Sequence, residues 1–434
     1  MFRPFNASEQ LWGTINSSSS PIAVVGRLSG PLSLEDVQQA LACARSQHPY
    51  LQASVDTIRK GVVQSALNEL PVEAETIETF QDREKDRLEA VREVVRRELL
   101  KGIPIQDTLA RAYLISESGD DQIHHLILMA DHVAFDSRSL LAWLDSFFTF
   151  LKRPSKDDID PTVQLELIDW QERIPKSCPN LDACPLQGHS IASDISPPAN
   201  SSSSENVCMV EDTVLQICSD TFSRLKHSTK AHELSLNAPL FVAFACAVSD
   251  LALSRGDHLP VMAVGSCAVD VRGMVSPPLP HNFISSVAGT VNVGIEVESC
   301  LDLWRASSAV SQSLKEEIAK AEPFRLTQLL KNGDYAAIAP LFAVSFVWSN
   351  IGHYSGICEA EGVSLQQLES HVMGEGSNPL VSVHLLEVRD ILSCSLTYSP
   401  KFHTQKSMSF LLSRFEKYVE RLACEDPCKF NGEG

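Results

Sequence analysis

Residues 123–151, IHHLILMADHVAFDSRSLLAWLDSFFTFL, constrain the fold of this chain more than any other stretch. Ile123 to Met129 is a short apolar run and reads as a buried strand. A polar elbow follows, from Asp131 to Ser139. Leu140, Leu141, Leu144, Phe147, Phe148 and Leu151 then recur at helical spacing. In the elbow His132 and Asp136 stand four residues apart. An imidazole titrates near neutral pH, so a histidine held rigidly between strand and helix can take and return a proton. Asp136 could orient nearby groups, or cap the helix with Ser137. A histidine at a strand end can equally be a satisfied structural side chain, and the HxxxD spacing alone is a weak signal.

The rest of the chain alternates strands and helices. Ile22–Leu28 reads as a strand. Ser33, followed by Glu35 and Asp36, opens a helix whose apolar face is Val37, Ala40, Leu41 and Ala44. His48-Pro49 ends it, because the residue before proline avoids helix. Residues 51–78 alternate loosely, as edge strands do. Residues 80–100 form a charged amphipathic helix with Leu88, Val91, Val94, Val95 and Leu99 on its face. Its charges read as a solvated surface, with docking of a protein partner through Arg92, Arg96 and Arg97 as the alternative. A short helix is expected within 155–175.

Residues 176–206 are rich in proline, serine and asparagine and read as a linker. Cys178, Cys184 and His189 fall there without the tight pairs of a zinc site, so no metal is expected. The second half restarts with a strand at 207–217, a helix at 220–234 and an apolar helix at 238–256. Strands at 261–273, 283–297 and 340–352 follow, with helices at 301–322, 323–332 and 403–423. His371 and His384 read as surface or core histidines. This alternation predicts an α/β fold of two domains, each a sheet with helices against it, spanning 1–175 and 207–434 around the linker.

Composition narrows the partners. The chain has 434 residues, with 36 Lys and Arg against 55 Asp and Glu, a net charge of −19. Such a surface repels phosphate backbones, so neither nucleic acid nor an anionic membrane is an expected partner. The first residues lack the pattern of a secretory signal, and no apolar run is expected to reach membrane-spanning length. Cys43, Cys246 and Cys267 lie in apolar segments and read as reduced core residues of a cytoplasmic protein.

DHVAFDSRSLL resembles the HHxxxDG motif of the acyltransferases related to chloramphenicol acetyltransferase. That superfamily includes nonribosomal peptide condensation domains, BAHD acyltransferases, and polyketide-associated and alcohol acyltransferases. The likeness runs in family order along nearly the whole chain. LSLEDVQQALACARSQHPYLQASV (32–55) is similar to the first helix and the HPxL segment. PIQDTLARAYLI (104–115) is similar to the strand preceding the histidine strand, and VDVRGMVSPPLPHNFISSVAG (269–289) to the VDxR…PPLP segment. SFVWSNIGHYSG (345–356) is similar to the SNxG segment, and LSCSLTYSPKF (392–402) to the last sheet strand. Asp131 replaces the first motif histidine and Ser137 the motif glycine, and no DFGWG appears.

The resemblance implies two chloramphenicol acetyltransferase-like α/β sandwich halves with the active site in a tunnel between them. It implies acyl transfer from a thioester, acyl-CoA or an acyl carrier protein, to a hydroxyl or amine of a small-molecule acceptor. His132 would be the general base, with Asp136 as its motif partner. Arg272 would pair with Asp136 across the two halves; the alternative partner is Asp270. An Arg272–Asp136 pair would make Asp136 a shaping residue and not a second acid–base group. Asn350, Ser349, Asn282 and Ser137 are tunnel or oxyanion candidates. No cofactor is implied beyond the acyl-CoA or acyl-phosphopantetheine co-substrate, and a monomer is expected. The departures at Asp131 and Ser137 leave open a repurposed protein, either a carrier-binding module or a cyclase or isomerase.

Overall fold

The structure, a computed structural model, describes residues 2–7, 9–10, 19–77, 84–118, 122–152, 167–175, 181, 185–191, 211–372 and 380–424. Its first strands are β1 (Phe2–Pro4) and β2 (Pro21–Ser29), followed by helix α1 (Leu34–Gln47). Strands β3 (Ala53–Asp56), β4 (Gly61–Gln64) and β5 (Val72–Ile77) lead to α2 (Glu84–Lys101). Then come β6 (Ala110–Glu117), β7 (Ile123–Asp131) and α3 (Ser137–Lys152). The expected linker is corrected where it is described, since Gly188 and His189 N–H donate to the Ala343 and Met262 carbonyls and Ile191 joins the second core; then come β8 (Glu211–Ile217), α4 (Ser219–Ala231), α5 (Asn237–Ser254), β9 (Val261–Asp270) and β10 (Ala288–Val297). The chain continues through α6 (Leu303–Ala319), α7 (Arg325–Asn332), β11 (Phe346–His353), β12 (Glu359–Ala360) and β13 (Val363–Val372). It closes with β14 (Val381–Val388), β15 (Ile391–Tyr398) and α8 (Gln405–Cys424).

These elements fall into two compact units. Residues 1–175, 270–288 and 353–373 form the first, and 176–269, 289–352 and 374–434 the second. The first unit holds a six-stranded sheet of order β12-β13-β2-β7-β6-β5 and a small sheet of order β1-β4-β3. The two-part division expected from sequence is therefore corrected at two places: 270–288 and 353–373 come from the second half of the chain but belong to the first unit. β13 pairs antiparallel with β2 from Val372↔Ile22 to Ser364↔Ser29, with a shift of register between Leu365 and Gln367. The approach beside this pair is close. Gly30 has φ +116°, and a Cβ there would lie 2.0 Å from the carbonyl oxygen of Gly362, so a side chain is excluded by sterics as well as by backbone conformation.

Local chemistry accounts for the first-unit helices. Ser33 and Asp36 form a capping box at the start of α1, with the serine hydroxyl accepting from Asp36 N–H and the aspartate accepting from Ser33 N–H. Val37, Ala40, Leu41 and Ala44 are all buried. On β7, Ile127 and Met129 face one side of the sheet and pack against Val91, Val94, Val95 and Leu99 of α2. Strand alternation sends Leu126 and Leu128 to the opposite face, where α3 packs against β2 and β7 and against α1.

The second unit carries a sheet of order β10-β9-β11-β14-β15-β8, in which β11 runs parallel to β9. Its core gathers around α5, where Phe241 and Phe244 meet Phe346 and Trp348. Contrary to the sequence expectation, α5 is an 18-residue helix apolar enough by composition to cross a membrane. Fourteen of its residues are buried within the unit, from Ala238 to Ala252, which is what a central core helix requires.

Of the linker readings, Cys178 and Cys184 lie outside the described residues, as do 155–166 of the expected short helix; among the described residues of that stretch, Trp170–Arg173 forms a short 3-10 turn. His189 Nε2 lies 3.1 Å from Asp257 Oδ2. His371 and His384 are both buried on strands.

Candidate functional site

The elbow after β7 is built by a buried carboxylate. Asp131 is 2% exposed. Its Oδ2 accepts from the Ser19 hydroxyl at 2.7 Å and from Ser20 N–H at 2.9 Å, while Oδ1 accepts from Val133 N–H at 3.0 Å. Its carbonyl accepts from Ala134 and Phe135 N–H, closing a tight turn. Burial raises the Asp131 carboxyl above the usual carboxylate range, and these donors offset only part of that. The residue that replaces the first motif histidine thus shapes the loop.

His132 is half-buried and tied at both ends of its residue. Its N–H donates to Ser20 carbonyl at 2.9 Å, and Nδ1 lies 2.7 Å from the Phe135 carbonyl oxygen. A carbonyl can only accept, so Nδ1 carries the proton, and the neutral ring keeps its lone pair on Nε2. The backbone of the elbow thereby selects one tautomer.

Asp136 and Arg272 lock the elbow from behind. Asp136 Oδ1 accepts from Ser139 N–H at 2.8 Å, which makes Asp136 the cap of α3. The same oxygen accepts from Arg272 Nη2 at 2.9 Å, and Oδ2 accepts from Val287 N–H at 2.9 Å. Ser139 Oγ lies 2.7 Å from Asp136 Oδ1 and accepts from Ser285 N–H at 3.1 Å. Arg272 is 1% exposed. Its guanidinium also donates to the carbonyls of Phe283 and Ser285 and to Asp270 Oδ1, so both carboxylates considered from sequence are its partners. All of these residues lie within the first unit, because 270–288 belongs to it; the pair joins the two halves of the sequence but lies inside one compact body.

The charges settle accordingly. Burial works against ionised Asp136, but Arg272, Val287 N–H and Ser139 outweigh it and hold the carboxyl below its ordinary value. Burial likewise works against the Arg272 cation, and Asp136 with Asp270 outweighs it. A carboxylate held below its ordinary value and hydrogen-bonded through both oxygens is a structural group and not a proton carrier.

The remaining candidates are placed differently. Ser137 is half-buried at the first position of α3, and Asn282 is exposed three residues before Ser285. Ser349 and Asn350 belong to the second unit, on neighbouring positions of β11, so they point to opposite faces. Asn350 Nδ2 donates to Asn237 Oδ1 at 3.1 Å, as does Trp348 Nε1 at 2.8 Å. Asn350 Oδ1 accepts from Gly352 N–H. Its amide is committed to the start of α5. Sequence reasoning passed over Ser139, whose place three residues after Asp136 is a capping signal, and the carbonyl of Phe135, which carries no side-chain signature at all.

Comparison with known proteins gives the same architecture. The family described as phthiocerol/phthiodiolone dimycocerosyl transferase C-terminus matches residues 210–387. A search of curated proteins finds no match. Among solved structures, the trichothecene 15-O-acetyltransferase of Fusarium sporotrichioides is similar at TM-score 0.70 and 12% identity, covering 97% of this chain and 95% of that one. Polyketide synthase associated protein 5 from Mycobacterium tuberculosis is similar at TM-score 0.62 and 14% identity, covering 98% of each chain. The first condensation domain of the CDA synthetase is similar at TM-score 0.70 and 14% identity, covering 98% of this chain and 97% of that one. With two mixed α/β sheet units and an HxxxD elbow backed by a buried arginine, the chain has the fold of the chloramphenicol acetyltransferase-like acyltransferases and condensation domains.

Proposed function

We propose that this protein is an acyltransferase that moves an acyl group from a thioester to a hydroxyl or amine of a small molecule, with His132 as general base. The observation that carries this reading is the His132 Nδ1 contact with the Phe135 carbonyl at 2.7 Å. It leaves the lone pair of the neutral ring on Nε2 in a half-buried, rigid elbow. Nε2 takes the proton of the acceptor as its oxygen or nitrogen attacks the thioester carbonyl. The tetrahedral intermediate then collapses, the carbon–sulfur bond breaks, and the imidazolium returns the proton to the departing thiolate. Acyl-CoA and acyl-phosphopantetheine on a carrier protein are both donors of the required chemistry. Asn350 is not assigned to the oxyanion, since its amide already serves Asn237. The family description and the similar acetyltransferase support the reaction class and not the substrates.

The test is thiol release from a panel of acyl-CoA donors with alcohol and amine acceptors, comparing wild type with His132→Ala. Acceptor-dependent release that falls by about a hundred- to ten-thousand-fold in the variant supports the reading. Release undiminished in the variant would overturn it. Silence with every coenzyme A donor moves the assay to carrier-loaded thioesters, and silence there as well sinks the reading in favour of a carrier-binding, cyclase or isomerase role.

A further inference from the structure

Tyr50 follows His48-Pro49 and is fully buried. Its ring meets Phe135 edge-on, with centroids 6.5 Å apart at 78°, and meets Phe283 in the same way at 6.5 Å and 84°. One of these phenylalanines presents its carbonyl to a residue of the elbow and the other to the arginine behind it. Phe135 carbonyl holds His132 Nδ1, and Phe283 carbonyl accepts from Arg272 Nε at 3.1 Å. One ring therefore backs both backbone groups that orient the histidine and the arginine behind it.

The ring is itself anchored at its far end. Tyr50 hydroxyl accepts from Arg3 Nη2 at 3.0 Å and donates to the Ile168 carbonyl at 3.1 Å. Arg3 is held in turn by Glu9, whose Oε2 lies 2.9 Å from Nη1, and both side chains are buried. Glu9 also accepts from Asn6 N–H at 2.8 Å. A buried ion pair is a poor source of stability for its own sake, yet its fixed geometry locates a hydrogen-bonded partner. All of these residues lie in the first unit.

We propose that Tyr50 is a positioning residue for His132: it seats Phe135 so that the Phe135 carbonyl holds the histidine in its Nδ1–H tautomer. The effect is indirect, since Tyr50 acts through a backbone group and has no part in proton transfer. An edge-on aromatic contact has a defined direction, so an aliphatic side chain of similar volume fills the space without fixing the carbonyl. The catalytic consequence rests on the acyltransferase reading, whereas the tautomer is a property of the resting protein.

The experiment reads both. Side-chain nitrogen NMR on histidine-labelled protein, assigned with His132→Ala, reports the His132 tautomer without substrate. Tyr50→Leu is expected to replace a single Nδ1–H form with a mixture, while Tyr50→Phe, which keeps both ring contacts, stays close to wild type. If Tyr50→Leu does not fold, Phe135→Leu removes the same ring contact and leaves the carbonyl in the chain. In the transfer assay, kcat is expected to fall about ten- to a hundred-fold with KM for the donor little changed, and the pH profile of kcat/KM is expected to shift. A folded Tyr50→Leu or Phe135→Leu protein that keeps the single Nδ1–H tautomer overturns the proposal. An altered tautomer in Tyr50→Leu, when wild type itself shows no transfer activity, upholds the positioning role and counts against the acyltransferase reading alone.

Discussion

Arg272 Nη2 donates to Asp136 Oδ1 at 2.9 Å, with both side chains buried, across 136 positions of sequence. Each nitrogen of the guanidinium donates to an acceptor in the first unit, among them Asp136, Asp270 and the carbonyls of Phe283 and Ser285. The pair pins the 283–287 segment onto the elbow, where Ser286 N–H donates to the Ala134 carbonyl and Val287 N–H to Asp136.

Breaking this pair from one side is therefore expected to be costly. Arg272→Met leaves Asp136 ionised and buried without its cation, and a loss of about 3–5 kcal/mol is expected in urea unfolding. The double variant Arg272→Met with Asp136→Leu removes both charges and is expected to recover part of that loss. A single variant that unfolds at the wild-type urea concentration would show the pair to be unimportant for stability.

His48 gives a pH dependence with a defined sign. It is 8% exposed, its Nε2 lies 2.9 Å from Ser146 Oγ on α3, and burial lowers its pKa to about 4 from an ordinary value of 6.5. Between those two values the unfolded chain binds the proton and the folded chain does not. Stability is thus full above pH 6.5 and declines as the pH falls towards 4. Up to about 3 kcal/mol is at stake over that interval. Denaturant midpoints measured from pH 7 to pH 4 should fall less steeply in His48→Gln, which keeps a hydrogen-bonding group without the titration. Equal slopes in the two proteins would assign the acid loss to other groups.

Asn237 serves two donors in the second unit, Trp348 Nε1 and Asn350 Nδ2. Trp348 is 1% exposed. Asn237→Ala leaves both donors without their acceptor and is expected to lower stability by about 1–3 kcal/mol. Tryptophan fluorescence during unfolding and donor turnover in the folded variant separate this role from a direct catalytic one. A variant of wild-type stability that has lost turnover would return Asn350 to the candidate oxyanion donors.

Much of the fold is legible in the residues because its signals are local. The run from Ile123 to Met129 and the spacing of Leu140 through Leu151 locate β7 and α3 within three residues at each end. Ser33 with Asp36, and His48-Pro49, mark both ends of α1. The expectations miss β13 and β14, whose alternation is obscured by His371, His384 and the glutamines at 366 and 367. They also read 283–297 as one strand, whereas β10 begins at Ala288. The N–H groups of Ser285, Ser286 and Val287 donate to Ser139, Ala134 and Asp136 of the elbow, so tertiary contacts override local strand preference there.

By itself the sequence determined the alternating α/β elements, the HxxxD elbow and the net negative surface. These follow from hydrophobic period, capping chemistry and charge count, which are properties of neighbouring residues. Only the tertiary structure decided that β13 returns to pair with β2, that 270–288 belongs with the elbow, and that Arg272 binds two carboxylates at once. It also decided that Asn350 is bound to Asn237 and that a backbone carbonyl sets the tautomer of His132. Strand order and the Arg272–Asp136 and Asn350–Asn237 hydrogen bonds depend on groups far apart in the chain, whereas Phe135 stands only three residues from His132. The main-chain carbonyl is identical at every residue, so its role is defined only once the fold brings a donor to it.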